Sequence, residues 1–220
     1  LLPTGPSGED RLKIVERRMG SLQQDSRVAS SKFQELPEAA STQTLRKAGH
    51  WYLAGSLGDQ PGITANTALL ESYLYLVPLY VPVRPGIMDG VGFVVAVKGA
   101  GSVRLGVYAD DGSIAPGRLI EDFGEVDVSS TGFKSVTSKK VALGRGLVWF
   151  AMCTDLAGTI RLNAITEHFW ALLGVSTSAP TTGYPAYNTA HVYGCMPDYL
   201  GDSVTLNKIQ FAPCVLVKFA

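Results

Sequence analysis

Charge is what this sequence has least of. Acidic and basic residues fill 17% of its 220 positions, against roughly a quarter in ordinary domains. They balance at 19 and 19, so no overall basic field exists to draw in nucleic acid or an anionic membrane. The densest basic spot, Lys139-Lys140, reads most simply as a solvated turn. Cysteine is scarce too, with Cys153, Cys195 and Cys214 forming an odd set that has neither CxxC nor zinc spacing. Buried free thiols suit their apolar or turn surroundings better than a bridge, which favours a reducing compartment; one disulfide plus one free thiol stays open. No apolar run reaches the roughly 18 residues needed to span a bilayer, and the most apolar one, Leu74–Val83, is broken by Pro78 and Pro82. Membrane insertion is therefore not expected. Leu1-Leu2-Pro3 lacks the basic and apolar regions of a signal peptide, and the missing initiator Met suggests a processed or truncated chain.

Catalytic motifs are missing as well. There is no GxSxG nucleophile elbow, no GxxxxGK[ST] phosphate loop and no HExxH zinc pair. Gly99-Ala100-Gly101 leads into a strand-like run, not the helix that a dinucleotide site requires. His50, His168 and His191 lie far apart without ligand spacing and are read as structural. Two carboxylate pairs occur, Asp110-Asp111 and Glu121-Asp122. Neighbouring strand residues point to opposite faces, so Glu121 and Asp122 are poor partners for glycoside hydrolysis. Asp110-Asp111-Gly112 is better read as turn chemistry, and supplies too few oxygens for calcium. The expectation is a protein that is not an enzyme, with no metal site and no cofactor.

What is abundant is glycine, at 24, and proline, at 12. They punctuate short apolar runs from residue 50 onward. His50-Trp51-Tyr52-Leu53 opens the series. Leu69–Val83 follows as a long extended segment, which Pro78 and Pro82 place at a sheet edge or bend. Val91–Val97 is apolar on both faces and is expected between two layers. Val103, Leu105 and Val107 then alternate with Arg104, Gly106 and Tyr108. Further strands are expected at Leu119-Ile120, Phe123–Val128, Lys134–Thr137, Leu147–Met152, Thr159–Asn163, Phe169–Val175, Ala190–Tyr193, Ile209–Phe211 and Val215–Phe219. Short strands separated by turns and without intervening helices predict an all-β domain, an antiparallel β-sandwich of jelly-roll-like type, over 50–220.

The chain before it reads differently. Residues 1–10 form an extended linker, 11–37 a coiled-coil-like helical stalk, and 38–49 a polar connector. Leu12, Val15, Met19, Leu22, Ser26, Ala29, Phe33 and Leu36 repeat at 3-4 spacing, with Ser7 able to cap the start and Pro37 ending the run. A lone helix of this size is marginal in water, and Gly20 costs it about 1 kcal/mol. It therefore packs against copies of itself, or against its own β domain, or frays. The oligomerisation seam on the first reading is Leu12, Val15, Met19, Leu22, Ala29, Phe33 and Leu36.

Aromatics beside loops are the feature suited to a ligand. Tyr108, Tyr184, Tyr187, Tyr193 and Tyr199 adjoin Gly, Pro, Asn or Asp, and a flat ring next to hydrogen-bonding groups suits stacking on sugar. Trp51, Tyr108, Trp170, Tyr184 and Tyr187 are the candidate glycan contacts. Tyrosine is equally at home on ordinary strands and at protein interfaces.

Five segments carry a resemblance: Trp51-Tyr52, Tyr75–Pro82, GSVRLGVYADDGSIAPGRL at Gly101–Leu119, DFGEVDVSSTG at Asp122–Gly132, and GLVWFA at Gly146–Ala151. Together they resemble the β-sandwich modules of tailed-bacteriophage virion proteins, found in tail fibres, head fibres or decorations, and baseplate-associated components. Gly194-Cys195-Met196-Pro197-Asp198 is similar to the closing loop of those modules. The resemblance spans about residues 50–220. It implies a structural role in a virion assembled in the host cytoplasm, with other virion proteins (capsid, tail or baseplate) held through the N-terminal segment. Trimeric fibres are the habit of such proteins, so a homotrimer is expected, and a host-surface glycan is the alternative partner. The motifs transfer no catalytic or ligand residues.

Overall fold

The computed structural model describes residues 48–54, 62–81, 86–155, 160–166, 184–201 and 204–220. The stalk with its seam residues, the strand expected at Phe169–Val175, and Trp170 lie outside the described residues. Among those described, every regular element is a strand. In chain order they begin with β1 (Trp51–Leu53), β2 (Gly62–Ala68), β3 (Tyr73–Val81), β4 (Gly86–Val97) and β5 (Ser102–Asp110). Next come β6 (Pro116–Asp127), β7 (Gly132–Val136), β8 (Val141–Leu143), β9 (Gly146–Thr154) and β10 (Arg161–Thr166). The last are β11 (Ala186–Ala190), β12 (Asn207–Ile209), β13 (Ala212–Pro213) and β14 (Leu216–Phe219).

Two antiparallel sheets result. The first is built on β4, whose one edge holds β7 and β8 while the other is shared by β14 and β10. Outside these, β1 pairs with β14, and β10 also takes β2 and β13. The second sheet runs β12-β11-β3-β9-β5-β6. Alternation along the strands sets the core between them. From the first sheet Met88, Val91, Phe93 and Val95 of β4 point inward with Val217 and Phe219 of β14. From the second come Val77 and Leu79 of β3, Phe150 and Met152 of β9, and Val103 and Val107 of β5. Each such side chain contributes about 1.5–3 kcal/mol on burial, so a few dozen strand residues suffice to hold the two layers together.

A second apolar cluster lies on the opposite face of the second sheet. Leu74, Leu76, Trp149, Ala151 and Cys153 point away from the main core and are nonetheless buried, under Met196 and Leu200. This explains why β9 reads as apolar on both faces. The cover is the irregular segment 191–201, not a third sheet.

Three expectations are corrected. The strand expected at Ala190–Tyr193 is instead β11, ending at Ala190, because His191 onward turns to form the cover. Val91–Val97 does not lie between two layers: Val91, Phe93 and Val95 face the core, while the other face carries Gly92 and the partly buried Val94 and Ala96, with the Phe133 ring over Gly92 and the Trp51 ring over the preceding Gly90. Those rings meet edge to face at 4.9 Å between centroids. β3 is an interior strand along Tyr73–Leu76, where β11 flanks it, and beyond Leu76 no strand among the described residues pairs on that side. Pro78 lies beyond the β11 pairing, so its missing N–H breaks no ladder bond to β11. The three thiols are unbridged, with Cys153 and Cys214 buried as expected and Cys195 exposed. Cys195 faces out because its neighbour Met196 is the residue that the cover turns inward.

Candidate functional site

The outer face of the second sheet gathers the distinctive chemistry. It begins with the β5–β6 turn, residues 110–117. Asp110 accepts the indole N–H of Trp149 on Oδ1 at 2.9 Å and the N–H of Gly112 on Oδ2 at 2.9 Å. Asp111 Oδ1 accepts both the N–H and the hydroxyl of Ser113, each at 2.7 Å. The hydroxyl of Ser113, then its N–H, holds the Asp111 carboxyl below the usual aspartate range. The turn closes through the Asp111 N–H to the Ala115 carbonyl at 2.9 Å. Gly112 and Ile114 take positive φ, 96° and 65°; the first is what glycine tolerates, and the second marks local strain at an exposed isoleucine.

The cover segment is fastened to this turn. Leu119 N–H donates to the Asp198 carbonyl at 2.9 Å and Leu200 N–H to the Gly117 carbonyl at 2.8 Å. Arg118 and Tyr199 form a further bridge between the two chains of this ladder. The Tyr108 hydroxyl donates to the Pro197 carbonyl at 2.9 Å. Met196 packs on Gly106, where a β-carbon would stand 3.1 Å from its Cγ.

Between turn and cover lies a pocket of about 170 Å³. Asp111, Ser113, Ala115 and Pro116 form one side. Leu200, Gly201, Val204 and Leu206 form the other. Tyr199 stands beside it at 60% exposure, its ring pressed on Gly201 where even a methyl group would collide. Nearby, Tyr187 stacks on Trp149 with centroids 5.3 Å apart and planes at 25°. Tyr184 lies under the Lys208 ammonium at 5.5 Å.

A partly buried ion pair sits further along the same sheet. Arg104 and Asp122 meet at 2.9 Å. Burial works against the ionised Asp122, but the Arg104 hydrogen bond and the Gly124 and Met196 N–H groups outweigh it, so its carboxyl titrates below the ordinary value. Glu121 goes instead to Lys139. The two adjacent carboxylates thus serve different cations, as expected for neighbours on a strand. Burial pushes the Cys153 thiol up to about 12, leaving it unreactive. Among the described residues no group of three or more His, Cys, Asp or Glu is placed to hold a metal. Likewise no helix among them is long and apolar enough to cross a membrane.

The candidate glycan contacts are separated by this geometry. Tyr184 and Tyr187 belong to the outer face of the second sheet. Trp51 stands on the outer face of the first, opposite Lys218, and is not near them. Tyr108 is fully buried and its hydroxyl is engaged, so it has no ring face to give a sugar. Of the histidines, His50 is exposed and bonded locally to the Ala48 carbonyl, while His191 is partly buried, which lowers its pKa. The grouping of Asp111 with Leu200, Val204 and Leu206 joins residues about ninety positions apart; no spacing in the sequence signals it.

No family model and no curated protein matches the sequence. Among solved structures, similarity is found to the cysteine protease and lectin-like domains of a surface-layer-associated protein of Clostridium difficile, at 11% identity and a TM-score of 0.43. The match covers 67% of this chain and 32% of that one, so the chain spans about a third of its length.

Proposed function

We propose that the chain is a non-enzymatic structural component of a tailed-bacteriophage virion, a fibre or decoration protein. It carries a jelly-roll-like head on a helical stalk, assembles as a homotrimer through the seam from Leu12 to Leu36, and attaches to capsid, tail or baseplate by its N-terminal segment. One observation carries this reading. Four of the five segments that resemble virion modules fall mainly on β3, β9, β5 and β6, consecutive neighbours in one sheet, while the fifth, Trp51-Tyr52, lies on β1 of the other. Most of the resemblance therefore follows the strands of one sheet and not scattered turns. Labelling intact particles with antibody to this protein tests it, since an unlabelled particle would refute the role. Native mass measurement tests assembly: a chain that stays monomeric with residues 1–40 present ends the trimer proposal.

A second reading has its own support. Tyr184, Tyr187 and the pocket beside Asp111 gather on one outer face, with exposed Tyr199 set over Gly201 of the pocket, which suits a carbohydrate-binding, receptor-recognition head. Three heads on one stalk would raise avidity without any new contact. A glycan array, or a host-adsorption assay with competing polysaccharide, decides between recognition and a purely architectural role.

A further inference from the structure

The pocket between the β5–β6 turn and the cover has mixed chemistry in a fixed arrangement. Its walls are apolar on both sides, Ala115 and Pro116 facing Leu200, Val204 and Leu206. One charged group reaches it. Asp111 Oδ1 accepts from Ser113, and a carboxylate has lone pairs for a further donor. An exposed aromatic ring, Tyr199, borders it over Gly201. Backbone bonds from Leu200 to Gly117 and from Leu119 to Asp198 tie both walls together, so the pocket is formed before any ligand arrives. A single water needs only about 10–15 Å³, so a pocket of about 170 Å³ admits a multi-atom group.

These parts restrict the ligand. A hydrocarbon would satisfy the walls but strip water from Asp111 without replacing its hydrogen bonds, which is unfavourable. A bare cation would use Asp111 and ignore the walls. A plain hexose would bond Asp111 and stack on Tyr199, yet it would turn hydroxyls toward Val204 and Leu206. An acetamido sugar matches every part, since it has an N–H donor beside a methyl group and a C–H face on its ring. We propose that this pocket binds an N-acetylhexosamine, its amide N–H donated to the Asp111 carboxylate, its acetyl methyl against Leu200, Val204 and Leu206, and its ring against Tyr199. This rests on the carbohydrate-recognition reading and names its ligand class and its place.

Saturation-transfer NMR and calorimetry on the full chain test it, using N-acetylglucosamine and N-acetylgalactosamine against glucose and galactose. The expected result is strongest saturation at the acetyl methyl, with at least one acetamido sugar binding about tenfold tighter than its parent hexose. Asp111→Ala removes a hydrogen bond to a charged group and weakens binding about tenfold or more. Leu206→Trp fills the pocket and abolishes binding, and Gly201→Ala displaces Tyr199 and weakens it severalfold. Asp111 lies in an exposed turn, so Asp111→Ala keeps the test informative if Leu206→Trp does not fold. Equal binding of glucose, no acetamido binding, or affinity unchanged in Asp111→Ala would each overturn the proposal. If a glycan array finds ligands without acetamido groups, this pocket assignment fails while carbohydrate recognition stands; a blank array ends both.

Discussion

The contact between Met196 and Gly106 allows a quantitative test of the claim that the outer face of the second sheet is a true second core. Met196 is 4% exposed and belongs to the cluster with Trp149 and Leu200. Truncating it to alanine removes buried methylenes and the sulfur and leaves a void, for which buried Met→Ala changes cost about 2–5 kcal/mol. The cover is one irregular segment and can settle partly, which puts the expected loss near the low end, about 2–3 kcal/mol. Gly106→Ala alone places a methyl 3.1 Å from Met196 Cγ and 3.3 Å from Sδ. The thioether is flexible and gives way at modest cost, and the loss of chain freedom in the unfolded state returns about 0.4–1 kcal/mol. The net effect should be small.

Combining the two makes the reasoning falsifiable. With Met196 shortened, the alanine at 106 keeps only an ordinary contact with the Glu121 carbonyl at 3.5 Å and fills part of the void. A buried methyl is worth about 0.8 kcal/mol, so the double variant should be about 1 kcal/mol more stable than the sum of the single changes predicts. Urea unfolding followed by tryptophan fluorescence measures all four proteins, with the denaturant slope unchanged across the set. Distant, independent sites add to within about 0.3–0.5 kcal/mol. Additivity within that margin would show that Met196 does not seat on Gly106, and a loss below about 0.5 kcal/mol for Met196→Ala would show that the cover is not a core.

Three further outcomes are expected. Asp122 titrates lower folded than unfolded, so its contribution is complete above the ordinary aspartate value of 3.8 and is lost as pH falls through the folded value; Arg104→Gln should therefore flatten the acid arm of the stability–pH curve, and an unchanged arm would refute the pairing. An aromatic disulfide reagent should titrate Cys195 quickly and reach Cys153 and Cys214 only on unfolding, because burial holds both inner thiols at about 12; fast reaction of all three would contradict the packing. Gly92→Ala drives a β-carbon to 2.6 Å from the Lys134 carbonyl and should cost about 1–3 kcal/mol by thermal or urea unfolding, whereas Gly144→Ala, with open space around it, should stay within about 0.5 kcal/mol.

Fold class was legible because it depends on local periodicity. Val103, Leu105 and Val107 alternate, and they all face the core. The runs around Leu147–Met152 and Val215–Phe219 were placed to within a residue or two of β9 and β14. Misplacement occurred where burial comes from elsewhere in the chain. Val91–Val97 is apolar for the core on one face and carries Gly92, Val94 and Ala96 on the other, with Phe133 over Gly92, and no local pattern separates that from burial between layers. Tyr108 resembled a ligand residue because it precedes Ala109 and the Asp turn, yet Pro197, 89 positions on, takes its hydroxyl and the cover encloses its ring. The Asp110-Asp111-Gly112 motif was correctly read as turn chemistry. Its second property, a carboxylate beside an apolar wall, depends on Leu200, Val204 and Leu206 and could not be read locally.

The low charge of the chain follows from the same arrangement. A two-sheet sandwich with both outer faces wet would show one polar residue in every two along its strands. Here β3 and β9 carry apolar residues on both faces, since the segment 191–201 shields Leu74, Leu76, Trp149 and Ala151 from water. Beyond the single bridge of Tyr199 to Arg118 that segment joins no ladder among the described residues, so its polar backbone must be satisfied one group at a time. The bonds from Leu119 to Asp198, from Leu200 to Gly117 and from Tyr108 to Pro197 do this. Each of them is anchored in β5, β6 or the turn between them. Fixing the cover therefore fixes the turn, and the gap left where the cover departs, between Asp111 and Leu206, is held open by the same bonds. A lining group there can be changed without touching the main core, so this rim can vary while the sandwich stays the same.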